Sequence, residues 1–232
     1  MENDSKPSIM NTQDMEKAGL HFGHRVSRLH PKMKPYVSGI KNNVHIIDLE
    51  KTTKEFDRAL TFIKKLAGEG KTILFVGTKI QVKNLVKNNA EVSGMPYVIE
   101  RWLGGTFTNF ETILKRVQYF KELESKKATG ELEKYTKKER SMFDKELAIL
   151  QKKFEGVRNL SKLPDAVLIL DVKKDLTCAR EARRKGIAIV GVVDTNIDPT
   201  LTDYPIPAND DAISSVGYIL EKVAETIQNA KV

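Results

Sequence analysis

The stretch "TILFVGTK", residues 72–79, decides the fold. Residues 73–76 are apolar without a break, Gly77 follows, and a helical pattern begins near residue 80. A strand with one wet face alternates apolar and polar residues. An unbroken apolar run needs cover on both faces, as strands of a parallel sheet do. Two more such runs lie downstream, "DAVLILDV" (165–172) and "IAIVGVVDT" (187–195), and "PYVIERW" (96–102) reads as another strand. Helical patterns separate them. One covers about residues 52–66, with Phe56, Ala59, Leu60, Ile63 and Ala67 on one face and Gly68 and Gly70 at its end. A second covers about 80–92, a third is "LTCAREARRKG", and the last runs over about 211–229 with Ile213, Val216, Leu220 and Val223 at helical spacing. Strands alternating with helices predict an α/β fold with helices on both faces of a parallel sheet.

The alternation breaks once, between residues 109 and 160. Phe110, Ile113, Val117 and Phe120 recur at spacings of three and four, and so do Phe143, Leu147, Leu150, Phe154 and Val157. Gly130 lies between the two series. The pattern predicts a helical hairpin zipped as a coiled coil and inserted into the core. Upstream, "YVSGIKNNVHIIDL" predicts paired strands around Lys41, Asn42 and Asn43. The domain plan is therefore a loose tail over 1–13, an α/β core over 14–108 and 161–232, and the hairpin over 109–160.

The net charge is +8 and the pI is about 9.3, which favours an anionic partner. A single cysteine, Cys178, excludes an internal disulfide and fits a reducing, cytoplasmic compartment. No apolar run is long enough for a membrane span.

The enzyme motifs fail one by one. "GEGKT" (68–72) lacks the first glycine of a phosphate loop, since Lys65 stands there, and it precedes a strand instead of following one. "FVGTK" (75–79) follows a strand and could hold one phosphate near Lys79, but no dinucleotide fingerprint occurs. Asp171, Asp194 and Asp198 fall at strand ends without a nucleophile or base beside them, and "DTNIDP" reads as turn chemistry. His21, His24 and His30 have no Cys, Asp or Glu between Lys17 and Lys41, so no metal site and no cofactor is expected.

One constellation survives. From Lys17 to Lys41 the chain has six Lys/Arg, three His and no acid. Its core, "HFGHRVSRLHPKMKPYV" (21–37), mixes cations with aromatics, and Pro31 and Pro35 keep it irregular. Such a strip suits a folded polyphosphate: cations release counterions from phosphates, and rings stack on splayed bases. The expected contacts are Arg25, Arg28, Lys32, Lys34 and Lys41, with His24, His30 and Tyr36, and Lys79 from the turn after "ILFV". "ERWLGGTFTNF" (100–110) adds Arg101, Trp102, Thr106 and Asn109, placed by the close approach that Gly104 and Gly105 permit. Trp102 reads equally well as packing at the root of the hairpin, and Thr108 or Asn109 as a helix cap.

"HFGHR…HPKMKPY", "NNVHIIDLEKT", "FVGTK", "ERWLGGTFTNF", "LPDAVLILD" and "VVDTNIDP…DYPIPANDDA" occur in this order. Together they closely resemble the bacterial-type small-ribosomal-subunit protein two family over about residues 14–229. Phe107 stands where that family often has Leu, and Ala208 where it often has Gly. The resemblance implies a flavodoxin-like three-layer core carrying a helical coiled-coil hairpin. It implies a structural, non-enzymatic constituent of the small ribosomal subunit that supports translation, bound to small-subunit rRNA between head and body. Other small-subunit proteins are the implied partners, in some bacteria including the large messenger-binding protein one, and no homo-oligomer is expected. The competing expectation is a nucleotide-binding α/β enzyme.

Overall fold

The computed structural model describes residues 11–230. Residues 1–10 of the expected tail lie outside the described residues. The rest of that tail is already helical: the Asn11 side chain accepts the Gln13 N–H and caps α1, Thr12–Lys17, and Met15 buries it against the core. An Asn at the cap satisfies a donor that the first turn leaves free, which starts the helix earlier than its polarity suggests.

Three antiparallel strands follow: β1 (Phe22–Arg25), β2 (Val37–Lys41) and β3 (Val44–Ile47), in the order β1-β3-β2. Asn42 and Asn43 turn the β2–β3 hairpin with φ of 49° and 63°, a conformation Asn tolerates better than most residues. β1 corrects the sequence reading. "FGHR" shows no alternation, yet it pairs with β3, Phe22 opposite Ile46 and Arg25 opposite Val44. The basic strip is thus half regular. A strand opens it and two 3-10 turns, Val26–Arg28 and Pro31–Tyr36, carry it on.

The core begins with α2 (Leu49–Gly68), capped by the Asp48 carboxylate on the Glu50 and Lys51 N–H groups. Then come β4 (Ile73–Val76), α3 (Lys83–Ser93), β5 (Tyr97–Val98), α4 (Phe110–Ala128), α5 (Lys137–Phe154), β6 (Ala166–Ile169), α6 (Leu176–Lys185), β7 (Ala188–Val193), β8 (Tyr204–Pro207) and α7 (Ile213–Ala230). The five core strands pair in parallel in the order β5-β4-β6-β7-β8. Counted from β4, that is 2-1-3-4-5, the flavodoxin-like order. Each buried strand feeds two cores. Ile73, Phe75, Leu168 and Val190 face α2, α3 and α7, while Leu74, Val76, Val167 and Ile189 face α6 and the base of the α4–α5 insertion.

Two edges differ from expectation. "PYVIERW" shortens to Tyr97–Val98, because the chain must leave the sheet for the turn that follows. β8, "YPIP", is a strand that its sequence pattern does not announce. Proline has no N–H to donate, so it stays out of central strands, but β8 is an edge strand that pairs only with β7. In the insertion, Val117, Phe120, Leu150, Phe154 and Val157 are buried while Phe110, Ile113, Phe143 and Leu147 are half-buried. Lys127 Nζ lies 2.7 Å from Asp144 Oδ1 and links α4 to α5, and a Thr136–Glu139 capping box starts α5.

Candidate nucleic-acid interface

The turn after β5 is organised by an acid from another element. Glu181 of α6 is 6% exposed and accepts backbone N–H bonds from Gly105 (2.7 Å), Phe107 (2.9 Å) and Thr108 (3.3 Å), and one from Trp102 Nε1 (3.4 Å). Burial pushes its carboxyl up, but these donors outweigh burial and hold it below the usual carboxylate range. Gly105 has φ of 93°, which lets three nearby amides converge on one carboxylate. Trp102 is 7% exposed and packs edge-on against Phe107, ring centroids 4.7 Å apart. Thr106 is 6% exposed and donates its hydroxyl to Leu103 O. These two expected contact residues are interior, and packing at the hairpin root is the reading of Trp102 that the geometry carries. Arg101 and Asn109 are exposed. Asn109 stands at the start of α4 and takes the Thr112 hydroxyl at 2.8 Å; its side chain makes no capping bond to the helix backbone.

In the basic strip, Arg25, Arg28, Lys34 and Lys41 are exposed. Met33 anchors the strip in the core and Tyr36 lies half-buried, its phenol pushed up by burial. His30 Nδ1 accepts the Lys32 N–H at 3.4 Å. Lys32 Nζ reaches Asp198 Oδ2 at 2.7 Å and Thr200 Oγ1 at 3.1 Å. Asp198 is held at about 2: burial acts upward, and the Lys32 and Thr200 bonds override it. From the other side Arg183 of α6 donates to the Thr200 backbone carbonyl at 2.6 Å. Lys32 and Arg183 therefore meet at one residue, and the strip continues into the outer face of α6, where Arg180, Arg184 and Lys185 are exposed. The sequence reading missed these cations. Their signal was present in "AREARRKG", since Arg180 and Arg184 fall opposite the buried Cys178, Ala179 and Ala182 and Arg183 borders that face.

The third cluster closes the sheet. A 2-1-3-4-5 sheet reverses its winding between β4 and β6, and ligands of such folds bind outside the carboxyl ends of those strands. Here Lys79, 15% exposed, fills that place with its Nζ 2.8 Å from each of Asp171, Asp210 and Asp211. Burial disfavours the ammonium, but the Asp210 charge and the three carboxylate bonds more than compensate and raise its pKa. The expected phosphate contact of Lys79 is thus replaced by internal ion pairs. Beside it Thr78 Oγ1 donates to Asp175 Oδ1 at 2.9 Å. Asp210 is pushed up to about 7 by burial and by the charges of Asp171 and Asp194. His24 also turns inward, its Nδ1 2.9 Å from Asp194 Oδ2, and that bond raises the imidazole despite burial. Spacing along the chain gave His24 no acidic neighbour; folding brings Asp194 and Asp210 to it, ligand atoms all within 4.8 Å.

A model of the family described as "Ribosomal protein S2" matches residues 15–230. The chain is 43% identical over 220 residues to a "Small ribosomal subunit protein uS2" of Coprothermobacter proteolyticus, covering 95% of this chain and 82% of that protein. It is 46% identical over 224 residues to the protein of the same name from Chlorobium phaeovibrioides, covering 97% and 87%. A third, from Fusobacterium nucleatum, is 46% identical over 221 residues, covering 95% and 90%. A match from the fourth residue of α1 to the last residue of α7 spans all eight strands, so this chain belongs to the ribosomal protein S2 family.

Proposed function

We propose that this protein is a structural constituent of the small ribosomal subunit, working in translation and catalysing no reaction. It binds small-subunit rRNA between head and body through phosphates and shape. Other small-subunit proteins are its further partners, with the large messenger-binding protein one among them in some bacteria. It acts in the cytoplasm as a single copy within the ribosome.

The observation that carries the RNA-binding face is the meeting of Lys32 and Arg183 at Thr200. It makes one surface of the strip and α6. Arg25, Arg28, Lys34 and Lys41 supply one half, Arg180, Arg184 and Lys185 the other, and Arg101 stands on the turn that Glu181 holds to α6. Exposed cations on an irregular backbone neutralise phosphates without reading base sequence. Trp102, Thr106 and Lys79 support this surface from inside.

The test is gradient sedimentation of the purified chain with transcribed small-subunit RNA at low salt. Comigration with the RNA, and none with an equal mass of a neutral polymer, is the expected result. A chain that stays at the top of the gradient while binding labelled nucleotide stoichiometrically returns the reading to an enzyme.

A further inference from the structure

We propose that the cavity under the returning end of the insertion binds one aliphatic polyamine, its methylene chain on the apolar floor and its ammonium groups on Glu155 and Glu91. This inference does not rest on the RNA reading. It concerns the amino end of β4, where Thr72 lines the cavity, and so the end of the sheet opposite Lys79.

The cavity holds about 430 Å³ and lies where β5, the loop before it and the chain after α5 come together. That size is within the range of small-molecule sites, roughly 300–1,000 Å³. The floor is apolar: Met95, Tyr97 and Leu160 line it, each 8% exposed. The walls carry two carboxylates from distant parts of the chain. Glu91 comes from the last turn of α3, and Glu155 from the 3-10 turn Glu155–Val157. Gly156 sets the second in place. A side chain there would collide with the Tyr97 carbonyl and ring, so the turn rides directly on β5. The Tyr97 phenol donates to Glu91 Oε1 at 3.1 Å. Burial, that bond and the charges of Glu91 and Glu155 push the phenol up to about 12, so it stays neutral between the two acids.

One atom asks for a donor. Glu155 Oε2 is buried and has no hydrogen-bond partner among the described residues. A carboxylate oxygen withdrawn from water needs one. The neighbouring cations are turned elsewhere. Arg158 gives one nitrogen to Glu124 Oε2 at 2.8 Å and stands over the Phe120 ring at 5.9 Å. Its other nitrogen is 3.5 Å from the opposite oxygen, Glu155 Oε1. Lys87 Nζ is 3.9 Å from Glu91 Oε1, at the limit of an ion pair. Lys162, also on the lining, is exposed.

The site therefore lacks an N–H donor, and the floor selects the body that carries it. A bare metal ion gains nothing from Met95 and Leu160. A nucleotide brings phosphate against two carboxylates. An ammonium on a methylene chain suits both halves: the chain leaves water on the floor, and the charged head makes a hydrogen bond roughly twice as strong as a neutral one.

The experiment titrates the full-length chain with spermidine by calorimetry at moderate salt. The net charge of +8 repels cations from the rest of the surface, which keeps non-specific uptake low. The expected result is one spermidine per chain and a raised melting midpoint. Glu155→Gln and Glu91→Gln should each weaken binding about 10-fold or more, the loss of one hydrogen bond to a charged group. Glu221→Gln, an exposed change on α7, should leave it unaltered. Circular dichroism establishes that each variant is folded, and Glu91, being exposed, is the substitution the fold tolerates best. A folded wild-type chain with no saturable spermidine uptake overturns the proposal. So does undiminished binding in a folded Glu91→Gln, Glu155→Gln double variant, or stoichiometric displacement by magnesium chloride, which would mean that charge alone is recognised.

Discussion

The Glu181 carboxylate accepts a 2.7 Å hydrogen bond from the Gly105 N–H, seventy-six residues away in sequence. That bond and its companions from Phe107 and Thr108 turn a glycine pair with the look of a nucleotide loop into a strut between β5 and the helical insertion. The anion that those amides bind is the protein's own.

Removing this anion should therefore loosen the strut. Glu181→Ala leaves buried amides unpaired and is expected to cost roughly 1.5–3 kcal/mol, with Glu181→Gln milder. Urea unfolding measures both. The folded-state pKa lies below the unfolded one, so the contribution is complete above the unfolded value near 4.5 and fades as pH falls through the folded value. The acid limb of the stability curve should be flatter in Glu181→Gln than in the wild type. Parallel acid limbs would mean that the carboxylate charge does not act here.

Neutralising Arg25, Arg28, Lys34 and Lys41 together should weaken binding to small-subunit RNA and reduce the salt slope by roughly 0.7–0.9 per lost phosphate contact. Neutralising Arg180 and Arg184 should act in the same direction, since α6 shares the surface. Filter binding across a salt series reads both sets. An unchanged slope in the first set would place the interface elsewhere.

Lys79 should behave as a structural residue. Lys79→Met leaves Asp171, Asp210 and Asp211 facing one another without a cation, and loss of one partner of a buried pair costs about 3–5 kcal/mol. The expected result is a large fall in melting temperature at pH 7 with no change in RNA salt slope. A stable variant with weakened RNA binding would return Lys79 to the interface.

Gly191 in β7 is required for space. A Cβ there would lie 2.6 Å from Thr202 Cγ2 and 2.6 Å from Val172 Cγ2, both fixed in the core. Gly191→Ala is expected to cost about 1–3 kcal/mol by overpacking, without altering RNA affinity at temperatures where it stays folded. Thermal melts and the same binding assay check the two halves.

The sequence by itself determined the layered α/β plan, because unbroken apolar runs such as 73–76 and 166–169 have only one comfortable home, and because helical periods between them are local properties. It also placed the β2–β3 turn at Asn42 and Asn43, the two helices of the insertion, and the acid-free strip. The tertiary structure alone decided which cations are engaged by the protein's own acids. Lys79 and Lys32 carry the same charge as Lys34, but three carboxylates from distant strand ends surround the first, and Asp198 with Thr200 holds the second. It alone made β1 and β8 strands, since each exists through pairing with another strand and not through its own pattern. It alone brought Glu181 to Gly105 and His24 to Asp194 and Asp210. Periodicity reports how a segment prefers to coil; which charges meet depends on where separate segments are carried, and one-dimensional spacing holds no record of that.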